Sequence, residues 1–153
     1  MIPDFTREGL LPPGEYRATW REIYGRFAWN HRRRMLLEGL AKALVPLREA
    51  GCSRVFLDGS FVTDKDLPGD YDVAWDPVDV QLALLTLSEP LFFDFSRRRA
   101  AQKSKYRGEF FPASVPADEV GTTFYEFFQI DKQTGGRKGI VVHSLRGQAL
   151  VHD

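Results

Sequence analysis

Apolar positions fall into two kinds of block, some spaced by three and four residues and others short and nearly continuous. The longest helical stripe is Leu36, Leu37, Leu40, Ala41, Leu44 and Leu47, with Asn30 placed to cap it. Pro46 lacks an N–H and crowds the preceding turn. It predicts a kink, or a helix end about one residue earlier, and Gly51 supplies a stop. A shorter helix is predicted through Trp20, Ile23, Tyr24 and Phe27 behind a Thr19 cap. Val55, Phe56 and Leu57 centre a strand over 54–60, and 70–75 reads as a second strand. The short spacing between them predicts antiparallel neighbours joined by a long hairpin loop. Asp76-Pro77 reads as the cap and first position of a helix through Val80, Leu82, Leu84, Leu85 and Leu87. Leu91 to Phe95 reads as a buried strand, and Ser96 as the cap of a basic helix to about Tyr106. A break over 112–121, a short helix over 123–129, a Gly135-Gly136 turn and a last strand over 139–143 complete the pattern.

These elements predict an α+β fold, a small mixed or antiparallel sheet flanked by helices. The chain has 153 residues, which suits a single domain over 1–153. Its Pro- and Gly-rich first stretch (about 1–18) predicts an extended arm, pinned by Ile2, Phe5, Leu10 and Leu11. Twenty-one basic and twenty-one acidic residues balance, which excludes a generally cationic coat for nucleic acid but not a local basic patch. One cysteine, Cys52, excludes an internal disulfide and a four-cysteine zinc site, and it reads as a packed small hydrophobe. Met1-Ile2-Pro3-Asp4 does not open a signal peptide, and no apolar run is long enough to cross a bilayer. The expected address is the cytoplasm.

The chemistry concentrates between the first two predicted strands. Gly59 tolerates unusual dihedrals and close backbone approach; Ser60 and exposed N–H groups can cradle phosphate oxygens. Asp70 and Asp72, two apart on a strand, project from one face. Convergent carboxylates repel unless a cation sits between them, and hard oxygen donors select Mg2+ or Mn2+. That combination points to metal-assisted phosphoryl or nucleotidyl transfer. Taken singly, the two acids would be solvated turn and strand residues.

Gly59-Ser60 followed by Asp70-x-Asp72 on the next strand resembles the signature of the nucleotidyltransferase superfamily typified by DNA polymerase beta. Ile2-Pro3-Asp4-Phe5, Leu10-Leu11-Pro12-Pro13-Gly14, Leu57-Asp58-Gly59-Ser60-Phe61-Val62 and Arg99-Ala100-Ala101-Gln102-Lys103 resemble an uncharacterised bacterial and phage group of minimal nucleotidyltransferase-like proteins over most of the chain. The resemblance implies a nucleotidyltransferase-like fold. It also implies a nucleoside triphosphate bound with Mg2+ (or Mn2+), and a nucleotidyl group transferred to a protein, RNA or small-molecule hydroxyl. A toxin–antitoxin or phage-defence setting follows by association. The superfamily places a third carboxylate on a following strand, and Asp94 is the first candidate for metal ligand and general-base partner. Its alternatives are a pair with Arg97 or Arg98, or a cap near Ser96. Glu126 is the reserve. Asp58 departs from the superfamily, where an apolar residue is usual; it would support a ligand or bond the turn.

Arg97-Arg98-Arg99, Lys103, Lys105 and Arg107 can bind a triphosphate tail or a nucleic-acid backbone, or form a solvated face. Arg99 and Lys103 are the nucleotide-binding candidates beside Gly59 and Ser60. Arg32-Arg33-Arg34 opens the long helix against its macrodipole, which calls for a partner surface or for acids from elsewhere. Phe110-Phe111, Phe124, Phe127 and Phe128 read as core, with base stacking as the alternative. The Pro-rich arm and surplus aromatics allow a partner protein or a homo-oligomer. The competing functions are a catalytically inactive module binding nucleotide, RNA or protein on the same fold, and an interaction protein that binds no nucleotide.

Overall fold

The computed structural model describes residues 1–146. Its strands are β1 (Gly14–Arg17), β2 (Arg54–Asp58), β3 (Tyr71–Trp75), β4 (Gly108–Pro112) and β5 (Gly139–Ser144). Its helices are α1 (Trp20–Phe27), α2 (His31–Glu49), α3 (Leu82–Ser88), α4 (Ser96–Tyr106) and α5 (Phe124–Phe127). The strands form one mixed sheet in the order β1-β5-β2-β3-β4. β2 lies antiparallel to both β3 and β5, while the outer pairs β1–β5 and β3–β4 are parallel. The architecture is α+β, with an open mixed sheet. No helix among the described residues is long and apolar enough to cross a membrane.

Strand alternation divides the sheet into two unlike faces. Val55, Leu57, Tyr71, Val73, Trp75, Phe110 and Val141 point into the main core, with Ile23 and Phe27 of α1, Leu85 of α3 and the leucines of the α2 stripe, where Ala43 rather than Ala41 joins them. Ile2 and Phe5 pack against this core and Leu11 is buried in it, so the arm is pinned as expected. The opposite face carries a smaller cluster of Phe56, Ala74, Phe111, Ile140 and Val142 under Phe128 and the short helix α5. Cys52 is buried; burial pushes its thiol up to about 12, which leaves it inert packing.

Thr19 and Asn30 cap α1 and α2 as their sequence signals indicate. α2 runs through Pro46 to Glu49, however. The Ala50 N–H bonds the Pro46 carbonyl at 3.0 Å, and buried Leu44, Leu47 and Ala50 hold this last turn against the core. The strand expected over 91–95 is a 3-10 turn, Pro90–Phe93, whose start is held by the Glu89 carboxylate accepting from the Leu91 N–H. Asp76 does not cap a helix. Its Oδ2 pairs with Arg54 and its Oδ1 accepts from the Val78 N–H, so α3 starts only after Gln81. Ser96 is not a cap either. Arg97, Arg98 and Arg99 all have positive φ, a conformation costing roughly 1–2 kcal/mol per residue, and the right-handed helix begins after them. The expected strand over 54–60 ends at Asp58, and Gly59 leads into a 3-10 turn, Ser60–Val62. β1 and β4 come from stretches with no strand expectation. Each is an edge strand held by one parallel neighbour.

Candidate functional site

Register places the acids. Asp58 on β2 stands opposite Asp72 on β3, and Asp72 stands beside Glu109 on β4. All three fall on the face of Phe56, Ala74 and Phe111, which α5 and Phe128 cover. Asp70, just before β3, shares that face with Asp72. Ligand oxygens of Asp70, Asp72 and Glu109 lie within 4.8 Å of one another, and all three residues are half-buried.

The charges there are unbalanced. Burial pushes the Asp72 carboxyl well above the usual range, and the neighbouring Glu109, Asp70 and Asp58 push it the same way. Burial and Glu109 likewise raise Asp70. Burial opposes ionisation of Glu109 too, but the bonds to it from Asp72 and Arg99 and the charge of Lys103 hold its carboxyl down. Three acids packed like this keep a proton among them unless a cation replaces it. The donor set, all hard carboxylate oxygen, fits Mg2+ or Mn2+.

Gly59 makes this convergence possible. Its φ of +87° and ψ of −172° belong to a region essentially reserved for glycine, and a Cβ there would lie 2.6 Å from the Asp72 Oδ2. Ser60 follows at the head of the 3-10 turn. A cavity of about 460 Å³ opens beside the cluster, lined by Gly59, Ser60 and Asp72 on one side and by Phe127, Lys132 and Lys138 on another. Buried Asp58 pairs with Lys138 at 3.4 Å, and burial holds its carboxyl up at about 6 against that pairing. Asp58 thus anchors the lysine at the cavity wall.

The loop from the Gly-Ser turn to Asp70 is tied down by Arg33, which is fully buried. Its guanidinium donates to the carbonyls of Phe27 (3.2 Å), Phe61 (2.6 Å), Thr63 (2.8 Å) and Lys65 (2.5 Å) and lies over the Trp29 ring. Among the three arginines that open α2, this one has a structural purpose within the chain. Lys65 and Asp64 are exposed in that loop.

Gly59, Ser60, Asp70 and Asp72 therefore come together. Asp94 does not join them. It closes the 3-10 turn, and its Oδ1 accepts from the Ser96 N–H (3.1 Å) and Oγ (2.6 Å), which also lowers its pKa. The reserve acid, Glu126, is exposed and completes the capping box of α5 with Thr123. Glu109 takes the third position, which sequence reasoning missed. The available signal was an acid directly before the Phe110-Phe111 pair, at the strand position alternating with Phe111. Arg99 and Lys103 do not line the 460 Å³ cavity; both bear on Glu109 Oε1, at 2.7 and 3.6 Å. The aromatics divide: Phe110 is in the main core, whereas Phe111, Phe124 and Phe128 form the smaller cluster, with Phe127 and Phe128 facing the cavity.

No curated protein and no solved structure matches the chain. Residues 3–143 match a family of unknown function, DUF6932, a span that includes every side chain of the site. Covered over nearly its whole length, the chain belongs to that family.

Proposed function

We propose that this chain is a metal-dependent nucleotidyltransferase-like protein, which moves a nucleotidyl group from a nucleoside triphosphate to an acceptor hydroxyl. The observation that carries the reading is the convergence of Asp70, Asp72 and Glu109 oxygens within 4.8 Å, beside a cavity walled by Gly59-Ser60. Asp70, Asp72 and Glu109 would hold Mg2+ or Mn2+. The ion supplies neutralisation of the triphosphate and a lowered pKa for the attacking hydroxyl. Burial and its acidic neighbours hold the Asp72 carboxyl up, and a bound cation would favour its ionised form. Ser60, at the cavity wall, would face phosphate, while Lys138 and Lys132 would balance its charge. Phe127 and Phe128 offer apolar surface to a base or sugar. Glu109 Oε1 is engaged by Arg99 and Lys103, and the carboxyl also shares a hydrogen bond with Asp72, which a cation would replace.

A second reading has its own observation. Arg99 and Lys103 already place positive charge on Glu109. A catalytically inactive module binding nucleotide, RNA or protein would balance its acids in this way without metal.

Calorimetric binding of each nucleoside triphosphate, with and without Mg2+, separates the two. Nucleotidyl transfer requires Mg2+-dependent binding that is lost in Asp70→Asn/Asp72→Asn. Binding indifferent to both Mg2+ and the substitutions would leave the inactive module.

A further inference from the structure

A second cleft opens on the other side of the carboxylates. It measures about 220 Å³ and is lined by Arg32, Met35 and Leu36 of α2, by Gly69-Asp70, and by Lys103 and Arg107 at the end of α4. Asp70 is its one acid, against three cations. Lys103 is shared with Glu109 at 3.6 Å. Among the described residues, the Arg107 guanidinium donates to the Met35 carbonyl, at 3.0 Å, and pairs with no acid. Arg32 is exposed and has no ion-pair or hydrogen-bond partner among the described residues. Its place is also disfavoured locally, because it adds positive charge to a helix first turn that holds no acid. Nothing in the described chain uses this charge. Local rules are broken in this way mainly where function requires it.

The two openings are unlike. The larger has room for a nucleotide and borders Asp72, Gly59 and Ser60; the smaller borders Asp70 and has room for little more than a phosphate with its sugar. In phosphoryl transfer the attacking and leaving oxygens lie roughly in line across the phosphorus, so acceptor and leaving group reach it from opposite sides. We infer that the Arg32–Lys103–Arg107 cleft is the acceptor subsite, and that it binds a phosphate carried by the acceptor next to its attacking hydroxyl. This rests on the transfer reading above. In the step, the acceptor oxygen bonds to the α-phosphorus, the bond to the bridging oxygen breaks, pyrophosphate leaves, and the hydroxyl proton passes to a carboxylate of the cluster. The acceptor phosphate takes no covalent part; Arg32 and Arg107 hold it. Its source is an RNA end or a small sugar phosphate.

The test uses the full chain and three probes: a labelled ten-nucleotide single-stranded RNA, ribose 5-phosphate, and each Mg2+–nucleoside triphosphate. The variants are Arg32→Glu and Arg107→Gln. Arg32 is exposed and an acid suits a helix first turn, so the thermal midpoint of Arg32→Glu should be unchanged or raised, which excludes misfolding as the cause. The expected result is that wild type binds the RNA or the sugar phosphate and that Arg32→Glu weakens this at least tenfold. Triphosphate affinity should stay within twofold. RNA binding alone identifies a polynucleotide acceptor, with a salt dependence shallower by about one phosphate contact in the variant; ribose 5-phosphate binding alone identifies a small one. The proposal is overturned if wild type binds neither probe, as for a protein acceptor, or if both variants bind like wild type. It is also overturned if triphosphate affinity falls in parallel, because the cleft would then hold the triphosphate tail. Failure of wild type to bind any triphosphate is a separate result. It sinks the transfer reading, and with it the acceptor role, even where Arg32-dependent phosphate binding survives.

Discussion

Replacing Arg33 by methionine removes the buried side chain that ties the loop after Gly59-Ser60 to α2 while keeping most of its volume; the exposed bonds from Asn30 and Trp29 to Asp66 remain. Two of its four acceptors, the Phe27 and Phe61 carbonyls, belong to residues with no exposure. Left without a donor, each costs about 1–3 kcal/mol. The Thr63 and Lys65 carbonyls lie nearer solvent, and water can replace the guanidinium there. The stack at 3.6 Å over the half-exposed Trp29 contributes about 0.5–1 kcal/mol. Against these losses stands relief of burying a charge, which already lowers the guanidinium pKa to about 10. The net expectation is a loss of about 2–4 kcal/mol. With a urea m-value of ~2 kcal/mol/M, the midpoint should fall by about 1–2 M. Tryptophan fluorescence in urea reads the global change, and amide exchange over 61–66 reads the loop. Arg33→Lys should fall in between, since one ammonium cannot reach four carbonyls. A loss below about 0.5 kcal/mol with loop exchange unchanged would refute the reasoning.

Four further substitutions test the site and its support. Glu109→Gln should weaken Mn2+ binding at least tenfold, with Asp94→Asn within twofold of wild type; the reverse order would restore Asp94 as the third ligand. Gly59→Ala should destabilise by about 1–3 kcal/mol and weaken Mn2+ binding, because the new Cβ meets the Asp72 carboxylate; unchanged affinity would mean that Asp72 can step aside. Burial would raise the Glu89 carboxyl, but the bonds it accepts from Lys105, Tyr106 and the Leu91 N–H hold it below its ordinary 4.5. Its folded-state pKa being the lower, its ionisation stabilises the protein above pH 4.5 and ceases to do so as pH falls through the folded value. Wild type should therefore be the more stable at pH 7, with its urea midpoint converging on that of Glu89→Gln in acid. Parallel curves would show that the ionised form contributes nothing.

The signals read correctly from sequence were local ones. Thr19 and Asn30 cap because a side-chain oxygen reaches an N–H two or three residues on, and nothing distant is involved. The β2–β3 pair followed from two closely spaced apolar runs joined by a long hairpin loop, and Asp70 and Asp72 on one face followed from the two-residue period of a strand. Leu91 to Phe95 misled because an apolar run can fill a core as a strand or as a turn, and Glu89-Pro90 decides for the turn. Asp94 and Ser96 were drawn into metal binding and capping, whereas they bond each other.

The α+β class, the caps, the central antiparallel pair and the Gly-Ser/Asp-x-Asp grouping were legible in the chain itself, because each depends on residues within about 20 positions of one another. The rest depends on contacts between distant segments. β1 and β4 are strands because a distant neighbour, β5 or β3, supplies their hydrogen bonds. Glu109 reaches Asp72 across 37 residues, through the parallel register of β3 and β4, and no local period announces it. Arg33 owes its burial to carbonyls up to 32 residues away. The Arg32–Lys103–Arg107 cleft exists because α2 and α4 meet at the end of β3. A side chain's local preferences can be read from its neighbours in sequence. Which charges come to share one low-dielectric site depends on strand register and helix packing, and those are settled only by burial of the whole core.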